Sequence, residues 1–296
     1  MDTNLSDNSK DLMRLIQSRF PKLSKGQKLI ANFILTNYDK AAFMTAAKLG
    51  VSVGVSESTV VRFANELGFS GYPKLQKALQ ELIKNKLTTV QRLELSNDYV
   101  SEGYALKGVL KADMENIRAT LEKINYITFE EVVKNIFEAK RIYIIGLRSS
   151  TALAEFLGFY LNIILQNVKT VGNGISDIFE QMINVEEGDL VIGIGFPRYA
   201  SRTIDALAFA QDRGANVVAI TDSLLSPLAA KADYSLIAQS NMASFVDSLV
   251  APLSVINALI IAVGMREKQS ITNTFNSLES IWREYNVYSY NNKNVA

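Results

Sequence analysis

The sequence contains no cysteine and no histidine. The first absence excludes disulfides and thiolate chemistry. The second removes the usual metal ligand and the commonest general base, so zinc hydrolysis and Ser-His or Cys-His catalysis lose their central part. The opening Met1-Asp2-Thr3-Asn4 is polar, without the basic-then-apolar run of a signal peptide, so a cytoplasmic location is expected. Long hydrophobic runs are scarce. The stretch from Leu249 to Met265 is almost wholly apolar, but it is short for a span, is interrupted by Pro252, Ser254 and Asn257, and has Asp247 and Arg266 just outside. It reads as a buried helix, and no membrane partner is expected.

What is present fits a soluble globular chain. At 296 residues it exceeds a usual single core, so two domains are expected, and 48% hydrophobic with 21% charged residues argues against disorder. The net charge of +1 hides an asymmetry. Residues 1–87 carry 13 Lys and Arg against 7 Asp and Glu, a net of +6, whereas residues 88–296 carry 18 against 23, a net of −5. A basic head on an acidic body suits a polyanionic partner, although a solvated basic surface has the same totals.

From Asp11 to Lys86 apolar residues recur at helical spacing, as in Leu12, Leu15, Ile16 and then Leu29, Ile30, Phe33, Ile34. Breaks at Pro21, around Gly50 to Gly54 and at Gly68 to Pro73 give about five helices and no sheet. Residues 88–109 are read as a linker, polar over most of their length, and Leu110 to Lys140 as one or two leading helices. After Lys140 short β-rich runs alternate with helical stretches: Arg141–Leu147, Val168–Val171, Asp189–Phe196, Asn216–Thr221 and Tyr234–Ile237. Near-continuous Ile and Val in the first, third and fourth indicate strands covered on both faces of a parallel sheet. The expected architecture is an all-α N-terminal domain over 1–87, the linker at 88–109, and an α/β domain with five parallel strands over 110–296. Polar, small residues follow the strand carboxyl ends at Arg148-Ser149-Ser150, Pro197 to Thr203 and Asp222-Ser223, the edge where doubly wound sheets hold ligands.

Within the helical head, the stretch Thr45 to Ser56 reads as a first helix followed by a tight glycine turn, after which a second helix starts with Ser56 as its cap. Glu57, Ser58 and Thr59 put short polar side chains over its first turn, and Val60, Phe63 and Ala64 face the core. Arg62, on the outer face, is the best single candidate for guanine edges or phosphate. Glu57 serves a base contact or only the helix dipole, and the sequence leaves both open.

The segment Val55-Ser56-Glu57-Ser58-Thr59-Val60-Val61-Arg62-Phe63, followed by Leu67-Gly68-Phe69-Ser70-Gly71-Tyr72, resembles the signature of the RpiR/MurR regulators. The resemblance covers essentially the whole chain. It implies a helix-turn-helix DNA-binding domain ahead of a sugar isomerase (SIS) domain of Rossmann-like fold. It also implies that Ser56, Glu57, Ser58, Thr59 and Arg62 lie in the major groove, with Tyr72, Lys74 and Lys77 near phosphates.

The stretch Ile142 to Thr151 resembles the first strand and loop of SIS domains, which implies anion-holding roles for Ser149 and Ser150, Ser150 being the closer match. A helix amino end with adjacent hydroxyls suits phosphate on physical grounds too, though Ser149 as a mere cap remains open. The second loop departs from the SIS pattern, with Gly195-Phe196-Pro197-Arg198-Tyr199-Ala200-Ser201-Arg202-Thr203 where serine, glycine and threonine are usual. Arg198 suits a bidentate pair with phosphate or carboxylate, and Tyr199 suits a hydrogen bond with its ring on a sugar. Ser201 and Thr203 complete that loop. Arg148 stands where a glycine is common, so a strongly anionic ligand is expected; an interdomain or subunit contact is the alternative for either arginine. Ser244, Asp247 and Ser248 open the last apolar helix, and Asp247 serves sugar hydroxyls or the helix dipole.

Three functions follow. The first is a DNA-binding regulator of carbohydrate-metabolism genes, expected to be a repressor, with a double-stranded operator, a phosphorylated sugar effector and a homodimer or homotetramer as partners. An aldose-ketose isomerase is the alternative, with only Asp247, Glu155 or Glu180 to move a proton. The third is a sugar-phosphate binder that controls another protein, against which the basic head counts. No catalytic residue, metal or cofactor is assigned.

Overall fold

The computed structural model describes residues 8–83, 90, 92, 105–242, 246–266 and 268–289. The chain divides into two compact units, Met1–Gly108 with Ala243–Val246, and Val109–Met242 with Asp247–Ala296. The first unit is helical throughout its described residues: α1 (Asn8–Arg19), a 3-10 turn over Phe20–Lys22, α2 (Lys25–Thr36), α3 (Tyr38–Ala41), α4 (Ala46–Val53), α5 (Glu57–Glu66) and α6 (Tyr72–Ile83). Among the described residues up to Ile83, six helices stand where about five were expected, α3 being a single turn.

Local chemistry sets these boundaries. Ser24 and Gln27 form a reciprocal capping box at the start of α2, with bonds of 2.9 and 3.4 Å. The Thr45 hydroxyl accepts the Lys48 amide at 3.2 Å to start α4. Gly50, expected within a break, lies inside α4 instead. A side chain there would meet the Val55 carbonyl at 2.7 Å, because the following turn folds back and Val55 donates to the Gly50 carbonyl at 2.8 Å. The break falls at Gly54, whose φ of +74° is left-handed. Helix α5 then buries Val60, Phe63 and Ala64, spaced to face one side.

The expected linker at 88–109 lies largely outside the described residues, and from Ala105 onward it is helical. The second unit comprises α7 (Ala105–Lys123), α8 (Tyr126–Glu138), β1 (Ile142–Gly146), α9 (Thr151–Leu165), β2 (Val168–Val171), α10 (Ile178–Gln181), β3 (Leu190–Ile194), α11 (Ser201–Asp212), β4 (Asn216–Thr221), β5 (Tyr234–Ile237), α12 (Val250–Arg266) and α13 (Lys268–Glu284). All five strands are parallel in the order β2-β1-β3-β4-β5. Their side chains alternate between two apolar layers. Ile142, Ile144, Ile192 and Ile220 pack with α8, α9 and α12, and Tyr143, Ile145, Val191 and Val217 pack with α11 on the other face. The central strands β1, β3 and β4 are therefore apolar on both sides, as their composition implied.

At the amino edge of the sheet, Arg141 grips the buried Asp189 carboxylate through Nε at 3.0 Å and Nη2 at 2.8 Å. That hydrogen bonding raises the Arg141 pKa above its ordinary value. Both residues lie just outside the strands they were expected to begin. Among the described residues no single helix is long and apolar enough to cross a membrane. The apolar run expected to be a buried helix is α12, which packs Ala251, Val255, Ile256, Leu259 and Val263 inward.

Phe63 is completely buried. Phe63→Ala is expected to destabilise the first unit by about 3–5 kcal/mol in denaturant unfolding followed by circular dichroism. A loss under about 1 kcal/mol would contradict its place in the core.

Candidate functional site

Two sets of residues emerge, one in each unit. In the first, Ser56, Glu57, Ser58 and Arg62 are exposed and Thr59 is half-buried, at the cap and on the first two turns of α5. Ser56 occupies the N-cap position, but its hydroxyl bonds those of Ser58 and Thr59, at 2.9 Å each, rather than a helix amide. The Arg62 guanidinium folds back over the first turn, donating to the Ser58 carbonyl at 3.3 Å and to the Thr59 hydroxyl at 3.4 Å. Hydroxyls and cation thus share one patch above the apolar underside. Lys74 and Lys77 are exposed on α6.

Tyr72 corrects the sequence expectation. It is buried, and its hydroxyl donates to the Met44 carbonyl at 2.7 Å, where Gln76 Nε2 also bonds at 3.0 Å. A phenol in the core satisfies a backbone acceptor ahead of α4, so Tyr72 holds α6 in place rather than reaching a phosphate.

In the second unit the strand order makes β1 and β3 neighbours, with Gly146 opposite Ile194 at their carboxyl ends. Chain connections leave these two strands in opposite directions across the sheet, the arrangement that opens a crevice at the strand tips. The loop after β1 turns through Arg148–Ser150 into α9. A side chain at Gly146 would meet the Ser150 carbonyl at 2.6 Å, so only glycine lets this turn lie against the strand end. Ser149 is exposed and Ser150 buried. The N-cap side chains of α9 (Ser150) and α11 (Ala200) make no bond to their helix amides. Two helix amino ends with partial positive charge thus stand at the same sheet edge.

Arg148 and Arg198 have φ of +59° and +64°, two of the four non-glycine residues in left-handed conformation among those described. Such conformations cost about 1–3 kcal/mol each and concentrate at functional loops. Both arginines are exposed, one in each loop beside the crevice.

The other expected ligand residues divide. Tyr199 is half-buried and its hydroxyl donates to Asp222 Oδ1 at 2.7 Å, so its proton serves a carboxylate at the tip of β4 rather than a ligand. Ser201 is exposed on the first turn of α11, whereas Thr203 is buried on the inner side of that helix rather than in the loop. Asp247 is half-buried just ahead of α12, and Ser248 beside it donates to Asp113 Oδ1 at 2.6 Å. Ser244 lies outside the described residues. Among the described residues no cluster of three acidic side chains is arranged to hold a metal ion.

Sequence reasoning passed over four polar residues behind the crevice. Gln239 Nε2 donates to the Asp222 carbonyl at 3.2 Å, and its amide donates to the Thr120 hydroxyl of α7 at 2.8 Å. Asn116, one turn earlier on α7, exchanges two bonds with the Asn241 backbone at 2.9 and 3.1 Å. Asp222 was visible as a strand-tip carboxylate. Asn116 and Thr120 were not, since polar residues in an amphipathic helix ordinarily face water.

Comparison with known proteins places both sets in context. Residues 10–86 match the helix-turn-helix domain of the rpiR family, and residues 135–262 match the SIS domain. An HTH-type transcriptional regulator of Haemophilus influenzae is 30% identical over 234 residues, covering 77% of this chain and 80% of that protein. The sugar isomerase domain of an RpiR transcription factor from Sphaerobacter thermophilus superposes with a TM-score of 0.58 at 30% identity, over 60% of this chain and 99% of that one. The Vibrio vulnificus NanR protein shares the fold over 92% of this chain and 98% of its own, with a TM-score of 0.55 at 20% identity. A helix-turn-helix head followed by a SIS body, in a chain aligned with a relative over most of both lengths, makes this protein a transcriptional regulator of the RpiR family.

Proposed function

We propose that the protein represses carbohydrate-metabolism genes by binding a double-stranded operator, and that a phosphorylated sugar or related anion at the tips of β1 and β3 sets its affinity for that operator. The observation that carries this reading is the pair of helix amino ends beside Arg148 and Arg198, both held in left-handed backbone conformations at one crevice. Aligned amides and guanidinium groups together favour a compact, multiply charged anion such as phosphate. Ser149, Ser150 and Ser201 add hydroxyl donors, and Asp247 serves a sugar hydroxyl. The NanR protein is described in complex with ManNAc-6P, a ligand of this chemical class.

On the DNA side, Ser56, Glu57, Ser58, Thr59 and Arg62 form the base-reading patch, and Lys74 and Lys77 pair with phosphates. The reader occupies 1–87 and the sensor 110–296, within the cytoplasm. Operators with two-fold symmetry call for paired readers, and a homodimer, or a tetramer built from it, supplies them. The exposed Phe159 of α9 and Ile261 and Met265 of α12 suit an isologous contact.

Two outcomes are expected. The wild type retains genomic DNA fragments in a salt-sensitive manner, Arg62→Ala loses them, and Lys74→Ala lowers the slope of log affinity against log salt by about 1. Tyr72→Phe leaves that slope unchanged. Failure of the wild type to retain any fragment at low salt contradicts the reading. In a thermal-shift screen of phosphorylated hexoses, amino sugars and sugar acids, at least one phosphorylated compound raises the melting temperature, a ligand at 100 times its Kd adding about 2.7 kcal/mol. Arg198→Ala abolishes that shift; an unchanged shift in the variant rejects Arg198 as an anchor.

A further inference from the structure

The crevice is tied to α7 by a continuous run of hydrogen bonds. Tyr199, in the loop after β3, donates to Asp222 at the tip of β4. The Gln239 side chain donates to the backbone carbonyl of the same Asp222, and the Gln239 backbone N–H donates to the Thr120 hydroxyl, so the run passes through the residues Asp222 and Gln239 themselves. The Thr120 hydroxyl donates onward to the Asn116 carbonyl at 2.7 Å, and the Asn116 amide holds Asn241. Ala238, Gln239 and Ser240 are almost wholly buried, so this segment has no room to shift without its neighbours. A third tie, Asp113 to Ser248, lies one turn before Asn116 on the same helix. Positions 113, 116 and 120 follow the i, i+3, i+7 spacing of one helix face.

This is an unusual way to finish a sheet. Beyond β5 the backbone of Gln239 and Asn241 finds its partners in side chains of a helix rather than in a sixth strand, so the sheet edge and α7 must move together. Helix α7 begins at Ala105, before the second unit starts at Val109. In the chain, α7 therefore carries the backbone from the first unit into the second.

We propose that Tyr199, Asp222, Gln239 and Thr120 form a relay through which occupancy of the anion seat changes how firmly α7 is held, and that this is the route by which ligand alters operator affinity. An anion that draws in the loop carrying Arg198 moves the adjacent Tyr199. Its bond to Asp222 then tightens or breaks, and Gln239 carries the change to α7. Gln239 and Thr120 are positioning residues that touch neither ligand nor DNA. The relay rests on the anion-sensing reading, and the experiment separates the two.

Amide hydrogen exchange of the full chain is the test, with wild type, Tyr199→Phe, Gln239→Met and Thr120→Val compared. Without ligand, Tyr199→Phe and Gln239→Met each speed exchange at Asn241 and along Asn116 to Leu121 by about fivefold or more, with Thr120→Val opening the same amides directly. Wild-type rates there in both Tyr199→Phe and Gln239→Met overturn the relay. With inorganic phosphate as the probe, wild-type exchange on α7 changes by a similar factor. Gln239→Met takes up phosphate with wild-type affinity in calorimetry yet leaves α7 unresponsive. An α7 response in Gln239→Met equal to that of the wild type overturns the relay. A wild type that takes up no phosphate counts against the anion seat itself, and the ligand-free comparison then still decides the relay.

Discussion

Five strands running the same way leave every carboxyl end on one edge of the sheet, and the order β2-β1-β3-β4-β5 sets the tips of β1 and β3 side by side with their connections diverging. The sensor depends on this constraint. Diverging loops leave space at the strand tips, and each feeds a helix whose first amides point toward that space. Gly146 allows the first loop to lie on the strand end, and Arg148 and Arg198 occupy strained backbone conformations in the two loops. The strain is offset by the packed sheet beneath, whose layers bury Ile and Val on both faces.

The legible parts of this architecture were those written in local periodicity. Near-continuous apolar runs located β1, β3 and β4, because a strand covered on both faces has no polar face to show, and shorter β-rich runs located the edge strands β2 and β5. Val60, Phe63 and Ala64 revealed the inner side of α5 by spacing alone, which left Arg62 and the serines outside. Long-range pairing was not legible. Tyr72 next to lysines in a basic head has the composition of a phosphate contact, yet its hydroxyl is spent on Met44, 28 residues earlier. Tyr199 beside Arg198 has the composition of a ligand donor, yet it bonds Asp222, 23 residues on. Asn116 and Thr120 pair with a segment more than a hundred residues away, at a separation no local pattern encodes.

In the proposed relay these long-range polar bonds link the crevice to α7. Apolar contacts are non-directional, so packing alone does not specify which groups pair. Directional bonds among buried groups behave differently: breaking one strands a donor or acceptor away from water, so such a network has discrete arrangements rather than a continuum. A ligand that favours one arrangement of the Tyr199–Asp222 contact gains leverage over α7 that packing alone does not supply. Coupling then requires only a difference in ligand affinity between two states.

In the proposed regulator an anion held by the SIS domain alters the grip of the helix-turn-helix on DNA. The most direct test is the affinity of the full chain for a retained genomic fragment, measured at fixed salt across a titration of the sugar phosphate that stabilises the protein. The expected result is a change of about 5-fold to 150-fold that is half complete near the ligand's own Kd and saturates above it. Fragment affinity that stays constant while the ligand site fills would contradict it.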